Sequence, residues 1–266
     1  MTDIRDGILS IYEEPQGERR VYLQIRAGAG VTVFNGHVDL GTGIETALAQ
    51  IVAEELDLPL DMVRVVLGDT ALTPDQGPTI ASETIQITAV PLRLAAAQAR
   101  HFLLGRAARR LNAPEDGVQL IQGQVHWKDT SVGLLEMVEG LDLAMRLDRD
   151  VPLKPTSDYL IVGTPVGRRD LPQKVTGEFA YIHDLRIDGM LHGHVIRPPY
   201  AGRDSGDFVG NSLIGYDEAA VAGMAGLVAI VRTGDFLGVV ADAPHLAQQI
   251  AEALPVKWRM PPPLPD

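Results

Sequence analysis

The sequence predicts an α+β chain built as two domains, and three observations carry that expectation. Residues 20–40 alternate apolar and polar in strand fashion and run directly into a stretch with helical periodicity. A second strand-rich block lies between 163 and 258 and closes with its own helix. Between them, residues 141–162 have weak periodicity and contain Pro152 and Pro155, the pattern of an inter-domain linker. A length of 266 residues suits two compact units at roughly 150 residues each. The expected layout is a polar tail over 1–17, a first domain over 18–140, the linker over 141–162, a second domain over 163–258 and a connector over 259–266.

In the first domain, the segment from Arg20 to Leu40 reads as two strands joined at Ala27–Gly30. Ile44, Ala47, Leu48, Ile51, Val52 and Leu56 then recur on one helical face, and that helix must stop before Pro59. Met62–Leu67 is a buried-strand candidate, and residues 68–79 are a Gly-, Pro-, Asp- and Thr-rich loop. An Ala- and Leu-rich helix over Pro91–Leu111 ends at Asn112-Ala-Pro114. Val118–Ile121 and Gln124–Trp127 form a hairpin around Gln122-Gly123, followed by a short helix over Leu134–Glu139. The second domain offers strands at Phe179–Ile182, Met190–Arg197, Leu227–Arg232 and Phe236–Ala241. A helix over Pro244–Leu254 and a short strand at Val256–Trp258 complete it. The terminal Met260-Pro-Pro-Pro-Leu-Pro-Asp266 cannot enter a helix or sheet interior.

Composition excludes several classes. The formal net charge of −12 argues against a nucleic-acid partner, which calls for a basic face. The chain has no cysteine, so it holds no disulfide, thiolate nucleophile or Cys-bound iron–sulfur cluster of its own. No apolar run is long enough for membrane insertion, and the N-terminal residues lack the apolar region of an export signal. A cytoplasmic protein is expected.

The chemistry-bearing stretch is Gly36-His-Val-Asp-Leu-Gly-Thr-Gly-Ile-Glu-Thr46, where a strand passes through a Gly-Thr-Gly turn into a helix. Thr42-x-x-Glu45 matches a capping box, with Thr42 as N-cap and Glu45 reaching back. A helix N-terminus also presents N–H groups and a positive dipole end to an oxo or phosphate ligand, so both readings stand. The turn lacks the third glycine of a dinucleotide site and the lysine of a P-loop. Elsewhere the bland readings prevail. Glu54-Glu55 fall on the polar side of their helix and are expected to be solvated. His192-Gly-His194 share a strand face but have no third ligand nearby. Arg106, Arg109 and Arg110 suit a helix C-terminus. Asp69-Thr70 begins a turn, and Tyr181, His183 and Asp184 have no assigned chemistry.

Taken together, Gly36–Gly43, Thr46–Leu56, Val63-Arg-Val-Val-Leu-Gly-Asp-Thr70 and Leu72-Thr-Pro-Asp-Gln-Gly-Pro-Thr79 resemble, in order and spacing, the opening of the molybdenum-binding domain of the xanthine dehydrogenase/aldehyde oxidase family, nearest its nicotinate dehydrogenase and isoquinoline oxidoreductase branch. Lys174–Asp184, Gly189–Gly193, Val195–Pro199 and Val239–Ala241 resemble that family's hammerhead α/β domain. The resemblance covers residues 20–258. It implies a molybdopterin-type molybdenum cofactor, a small partner subunit carrying [2Fe–2S] clusters, and hydroxylation of an N-heterocycle or aldehyde as the small-molecule substrate. It places Gly41, Thr42 and Gly43, and then Gln76, Gly77, Thr79, Ala81 and Ser82, along one wall of the cofactor site.

Departures from the family pattern shape the expectation. Thr42 stands where relatives often carry the glutamine that approaches the metal, so backbone contacts from Gly41–Gly43 are favoured over its side chain. Relatives tend to have glycine near Ala81 and Thr88-Ala89, and side chains there imply either crowding or φ < 0. Thr79 and Ser82 have hydroxyls for a phosphate or pterin oxygen, or for plain loop caps. No residue matches the family's activating glutamate, so neither a catalytic nor a metal-ligating residue is assigned. The missing part of the molybdenum subunit is expected on a second polypeptide or further along a longer chain, and its absence should leave an exposed apolar patch. The alternative is an inert scaffold or assembly module of the same fold, without cofactor.

Overall fold

A computed structural model describes residues 7–200 and 210–261. Its contacts divide it into two compact units, with the division between Phe179 and Ala180.

The first unit is a mixed five-stranded sheet in the order β4-β3-β2-β1-β8. The strands are β1 (Ile8–Glu13), β2 (Arg20–Arg26), β3 (Gly30–Asn35), β4 (Val63–Leu67) and β8 (Asp142–Arg146). Alternation sends Leu9 and Ile11, Leu23 and Ile25, and Val31 and Val33 to one face, where all are buried. Helices α1 (Ile44–Leu56) and α2 (Ala89–Leu111) cover that face. Leu48, Val52 and Leu56 of α1 pack with Leu92, Ala95, Ala96, Ala99 and Leu103 of α2. The alanines let the two helix axes approach closely. A small sheet of β5 (Gln119–Ile121), β6 (Gln124–Trp127) and β7 (Thr130–Gly133) adjoins α2. Its first turn has φ of 48° at Gln122 and 77° at Gly123, as the expected two-residue hairpin requires.

The structure differs from the sequence reading in several places. Residues 8–13, assigned to a tail, are an inner strand: β1 pairs antiparallel with β2 and parallel with β8. Residues 142–146, assigned to the linker, are the other half of that pairing. Such long-range registers leave no local signature. Val63–Leu67 is an edge strand and mostly half-buried. Residues 163–179 belong with the first unit. The backbone N–H of Arg169 donates to Thr46 Oγ1 at 3.1 Å, and its guanidinium donates to the carbonyls of Val63 and Leu60. A short helix, α3 (Leu171–Thr176), follows.

The largest correction concerns Glu54 and Glu55. Both are about 1% exposed. Glu54 Oε2 accepts from the backbone N–H groups of Leu160, Ile161 and Val162 at 3.0, 2.6 and 2.8 Å, and Oε1 accepts from Lys154 Nζ at 2.6 Å. Glu55 accepts from Arg93 Nε at 2.7 Å, lies 3.5 Å from Arg100 and takes the backbone N–H of Lys154 at 3.1 Å. Residues 154–162 are therefore latched onto α1 and α2 by two buried carboxylates. Periodicity misses this because the cations that make burial tolerable come from α2 and from beyond β8.

The second unit holds an antiparallel sheet in the order β11-β12-β9 and a β10-β13 ribbon. The strands are β9 (His192–Ile196), β10 (Leu213–Tyr216), β11 (Leu227–Thr233), β12 (Phe236–Ala241) and β13 (Val256–Trp258). Helix α4 (Pro244–Ala253) packs Ala247, Ile250 and Ala251 against Leu237, Val239 and Ala241 of β12. Asp235 accepts from the N–H and hydroxyl of Ser212 and the N–H of Leu213, which fixes the start of β10. Phe179–Ile182 is not a strand. Ile182–Asp184 is a single helical turn closed by the Tyr181 N–H donating to the Asp184 carboxylate at 2.9 Å. The expected connector lies partly outside the described residues, at 262–266.

Candidate functional site

Two loops of the first unit come together where β3 ends. Gly36 is required there: a Cβ would sit 2.1 Å from the Pro74 carbonyl oxygen. The Gly36 N–H donates to Gln76 Oε1 at 2.8 Å, and the Val38 N–H donates to Thr79 Oγ1 at 2.9 Å. These two bonds join residues 36–38 to residues 76–79.

Beneath them lies a buried polar cluster. Asn35 and His37 are both 0% exposed. Asn35 Nδ2 donates to the Thr88 carbonyl at 3.1 Å and lies 3.0 Å from its hydroxyl, while Asn35 Oδ1 accepts the His37 N–H. His37 Nδ1 lies 2.8 Å from Thr84 Oγ1, and His37 Nε2 has no partner among the described residues. Thr84–Thr88 is a π-helical turn leading into α2. A π turn disturbs the regular carbonyl pairing and often marks a functional site. Here the Thr88 carbonyl is taken by Asn35 and, at 3.3 Å, by Gln76 Nε2.

Above the cluster is a cleft of about 460 Å³, within the size range of small-molecule sites. Val38, Leu40, Ile44, Ile80 and Ile85 give it an apolar lining, and Thr42, Thr79 and Ser82 add hydroxyls. Four of the sequence-assigned residues, Thr42, Thr79, Ala81 and Ser82, thus meet in one cleft. Gln76 and Gly77 do not line it. Gln76 bridges Gly36 and Thr88, and Gly77 takes a turn with φ of 80° whose N–H donates to Asp75.

The Gly-Thr-Gly turn is built differently from a capping box. The N-cap of α1 is Gly43, in the left-handed conformation, with no side-chain cap bond from Thr42. The cap function falls to Asp39. Its Oδ1 accepts from the N–H of Gly41 at 2.8 Å and of Gly43 at 3.2 Å, and its Oδ2 accepts from Glu45 at 3.4 Å. Burial alone would raise the Asp39 pKa, but these backbone donors outweigh it and hold the carboxyl below its ordinary value. Two of the amides assigned to a ligand, those of Gly41 and Gly43, are therefore occupied by an internal carboxylate, and of the turn's three residues it is Thr42 that lines the cleft. Sequence reasoning missed Asp39, although Asp-x-Gly is an Asx-turn signal. Replacing Asp39 with Ala is expected to destabilise the first unit by about 1–2 kcal/mol, read as a lower urea midpoint with unchanged slope.

Ala81 and Ser82 carry φ of 52° and 59°. Of the two alternatives expected near Ala81 and Thr88-Ala89, crowding or φ < 0, negative φ holds at Thr88 (−80°) and Ala89 (−76°) but not at Ala81, where the backbone keeps a glycine-like conformation with a side chain in it. Ala81→Gly should relieve strain and stabilise by about 0.5–1 kcal/mol despite the more flexible unfolded chain, measured by thermal unfolding.

These residues fit one wall of a flat, polar-edged cofactor: an apolar surface with hydroxyls and no charged lining residue. They do not fit a site that binds a phosphate by charge. Among the described residues no cluster of three His, Asp or Glu side chains could hold a metal ion.

Comparison with known proteins gives the family. The family described as molybdopterin cofactor-binding domain matches residues 6–188. A nicotinate dehydrogenase subunit from Pseudomonas putida is 51% identical over 243 residues, covering 91% of this chain and 20% of that protein. The beta subunit of isoquinoline 1-oxidoreductase from Brevundimonas diminuta is 29% identical over 224 residues, covering 68% of this chain and 29% of its own length. Carbon monoxide dehydrogenase from Oligotropha carboxidovorans aligns over 50% of this chain and 15% of its own, at 23% identity and a TM-score of 0.38. The chain spans about a fifth to under a third of the two curated relatives. With the family match running from the first unit's opening strand through the cleft-forming loops and beyond, this chain belongs to the molybdopterin cofactor-binding domain family, among the xanthine dehydrogenase-type molybdenum-binding subunits.

Proposed function

We propose that this chain is part of the catalytic subunit of a molybdenum hydroxylase and supplies one wall of its cofactor site. The observation that carries this reading is the cleft that gathers Thr42, Thr79, Ala81 and Ser82 from two loops over a buried polar support. When bound, the molybdenum group supplies the two-electron oxidation that places a water-derived oxygen on an electrophilic carbon. The chain's own contribution is positional. Thr42, Thr79 and Ser82 orient a polar edge by hydrogen bonding, and Val38, Leu40, Ile80 and Ile85 exclude water from one side. The substrate class is an N-heterocycle or an aldehyde; the relatives named for nicotinate and isoquinoline favour the former. Its electrons would pass to [2Fe–2S] clusters on a small partner subunit; this chain, without cysteine, would hold none of them.

The remaining walls and the activating glutamate belong to another part of the molybdenum subunit. Exposure of Leu40 at 70%, Ile80 at 55% and Ile87 at 56% supports a face that another chain segment covers. No helix among the described residues is long and apolar enough to cross a membrane.

The test is to purify the tagged chain from its own cells with the chains that accompany it. Expected are molybdenum near one atom per complex and heavy-oxygen label from water in a hydroxylated heterocycle. A second reading, an inert scaffold, is favoured by Asp39 occupying the Gly41 and Gly43 amides of the Gly-Thr-Gly turn. It predicts the same fold with no molybdenum in the purified complex, and that outcome would displace the first reading.

A further inference from the structure

The Gly-Thr-Gly turn is held from both sides. Asp39 takes the N–H groups of Gly41 and Gly43, and a cation from far along the chain takes the Gly41 carbonyl. Arg168 Nη1 donates to the Gly41 carbonyl oxygen at 2.9 Å. The same guanidinium is gripped in bidentate fashion by Asp170, Nε to Oδ1 at 3.0 Å and Nη2 to Oδ2 at 2.6 Å. Lys174 Nζ, one turn on, also reaches Asp170 Oδ2 at 2.6 Å. The guanidinium packs against the turn itself: a Cβ on Gly43 would lie 3.0 Å from Arg168 Nε. Gly41 has φ of 100°, which no other residue adopts comfortably. The peptide between Gly41 and Thr42 is thus locked at its carbonyl by a braced cation, while the neighbouring amides are locked by an anion.

We infer that Arg168 is a positioning residue for the cofactor-facing wall: its guanidinium, oriented by Asp170, sets the Gly41–Gly43 turn and through it the Thr42 side chain in the cleft. This rests on the functional reading above. The geometry suits arginine specifically. One planar fork serves Asp170 on one side and the Gly41 carbonyl on the other, which a lysine ammonium cannot reproduce. Preorganising a site-lining residue through locked neighbours is how a loop acquires the precision of a rigid element. Arg169 adds to the anchoring by tying the same segment to Thr46 and Val63, so the variable part is Arg168 alone.

The experiment compares wild type with Arg168→Gln, Arg168→Lys and Asp170→Asn, each purified with its accompanying chains. Three readouts are taken: hydrogen exchange at the amides of Gly41, Gly43 and Glu45, the thermal midpoint, and molybdenum content with the kcat and KM of the loaded fraction. Arg168→Gln is expected to speed exchange at those amides about tenfold, as loss of a charge-assisted hydrogen bond would. The midpoint should move little, because the contact is partly exposed. Molybdenum content or kcat should fall several-fold, with lysine rescuing only in part and Asp170→Asn shifting the same readouts less. Unchanged exchange at the turn overturns the inference. So does faster exchange with molybdenum content and kcat equal to wild type. If wild type itself carries no molybdenum, the functional reading fails and takes this inference with it, an outcome distinct from failure in the variants alone.

Discussion

Glu54→Gln is expected to destabilise the first unit by about 3–5 kcal/mol, the cost of breaking a buried ion pair by removing one partner's charge. At roughly 2–4 °C per kcal/mol for a unit of this size, the melting midpoint should fall by about 6 °C or more. Glutamine cannot rescue the site in either amide orientation. Oε2 faces the N–H groups of Leu160, Ile161 and Val162, and Oε1 faces Lys154 Nζ and, at 3.1 Å, the Leu160 N–H. Whichever way the amide turns, its NH2 meets a donor, and Lys154 keeps a charge that is only 12% exposed. Adding Lys154→Met should recover part of the loss, because the cation, left with only Asp57 at 3.6 Å and the Glu54 carbonyl at 3.3 Å, is then gone. A change below about 1 kcal/mol would show that the latch contributes little.

The same latch has a pH signature. Burial works to raise the Glu54 pKa, but Lys154 and the N–H groups of Val162, Ile161 and Leu160 outweigh it, and the folded carboxyl titrates below its ordinary value. With the folded pKa beneath the unfolded one, the contribution is complete above the unfolded value, about 4.3, and is lost as pH falls through the depressed folded value. The stability gap between wild type and Glu54→Gln should therefore stay constant from about pH 8 to about pH 5 and shrink only below about pH 4.3. A gap that narrows near neutrality would exclude the buried carboxylate as its origin.

Gly36→Ala is the second large effect, and it acts on the site. The new Cβ would meet the Pro74 carbonyl oxygen at 2.1 Å and the Gln76 N at 3.1 Å. Both are backbone atoms, so no side chain can swing away. Either β3 or the loop at 74–76 must move, and the Gly36 N–H to Gln76 bond is lost with it. The expected cost is about 2–3 kcal/mol, from overpacking together with a broken hydrogen bond. Gln76 also holds the Thr88 carbonyl at the π turn, so the displacement reaches the cleft wall at Thr84 and Ile85. Molybdenum content should fall more than stability alone explains, which is checked by measuring both at a temperature well below the variant's midpoint. A variant as stable and as loaded as wild type would refute the close approach.

Much of the fold was legible in the residues themselves. Helices α1 and α2, the β2–β3 and β5–β6 pairs and the elements from β11 to β13 follow from period, caps and turn residues, all local quantities. The local pattern misses β1 and β8 because each is short and they pair with each other across the length of the first unit. The candidate site divided along the same line. Thr42, Thr79, Ala81 and Ser82 were named by the resemblance of their motifs to the family. That they line one cleft depends on the Val38–Thr79 and Gly36–Gln76 bonds between separate loops.

The sequence by itself determined the family, the mixed α and β character and the lack of any thiol chemistry in this chain. These rest on residue identity and on spacing along the chain. Only the tertiary structure decided how the polar groups are used: Asp39 takes the Gly41 and Gly43 amides while Thr42 lines the cleft, Glu54 and Glu55 are buried latches, and Arg168 reaches back to Gly41. The physical reason is common to all three. A charged group's role is set by the partner that offsets its desolvation, and here each decisive partner is supplied by the folded geometry, outside the helical or strand period that a sequence reading follows.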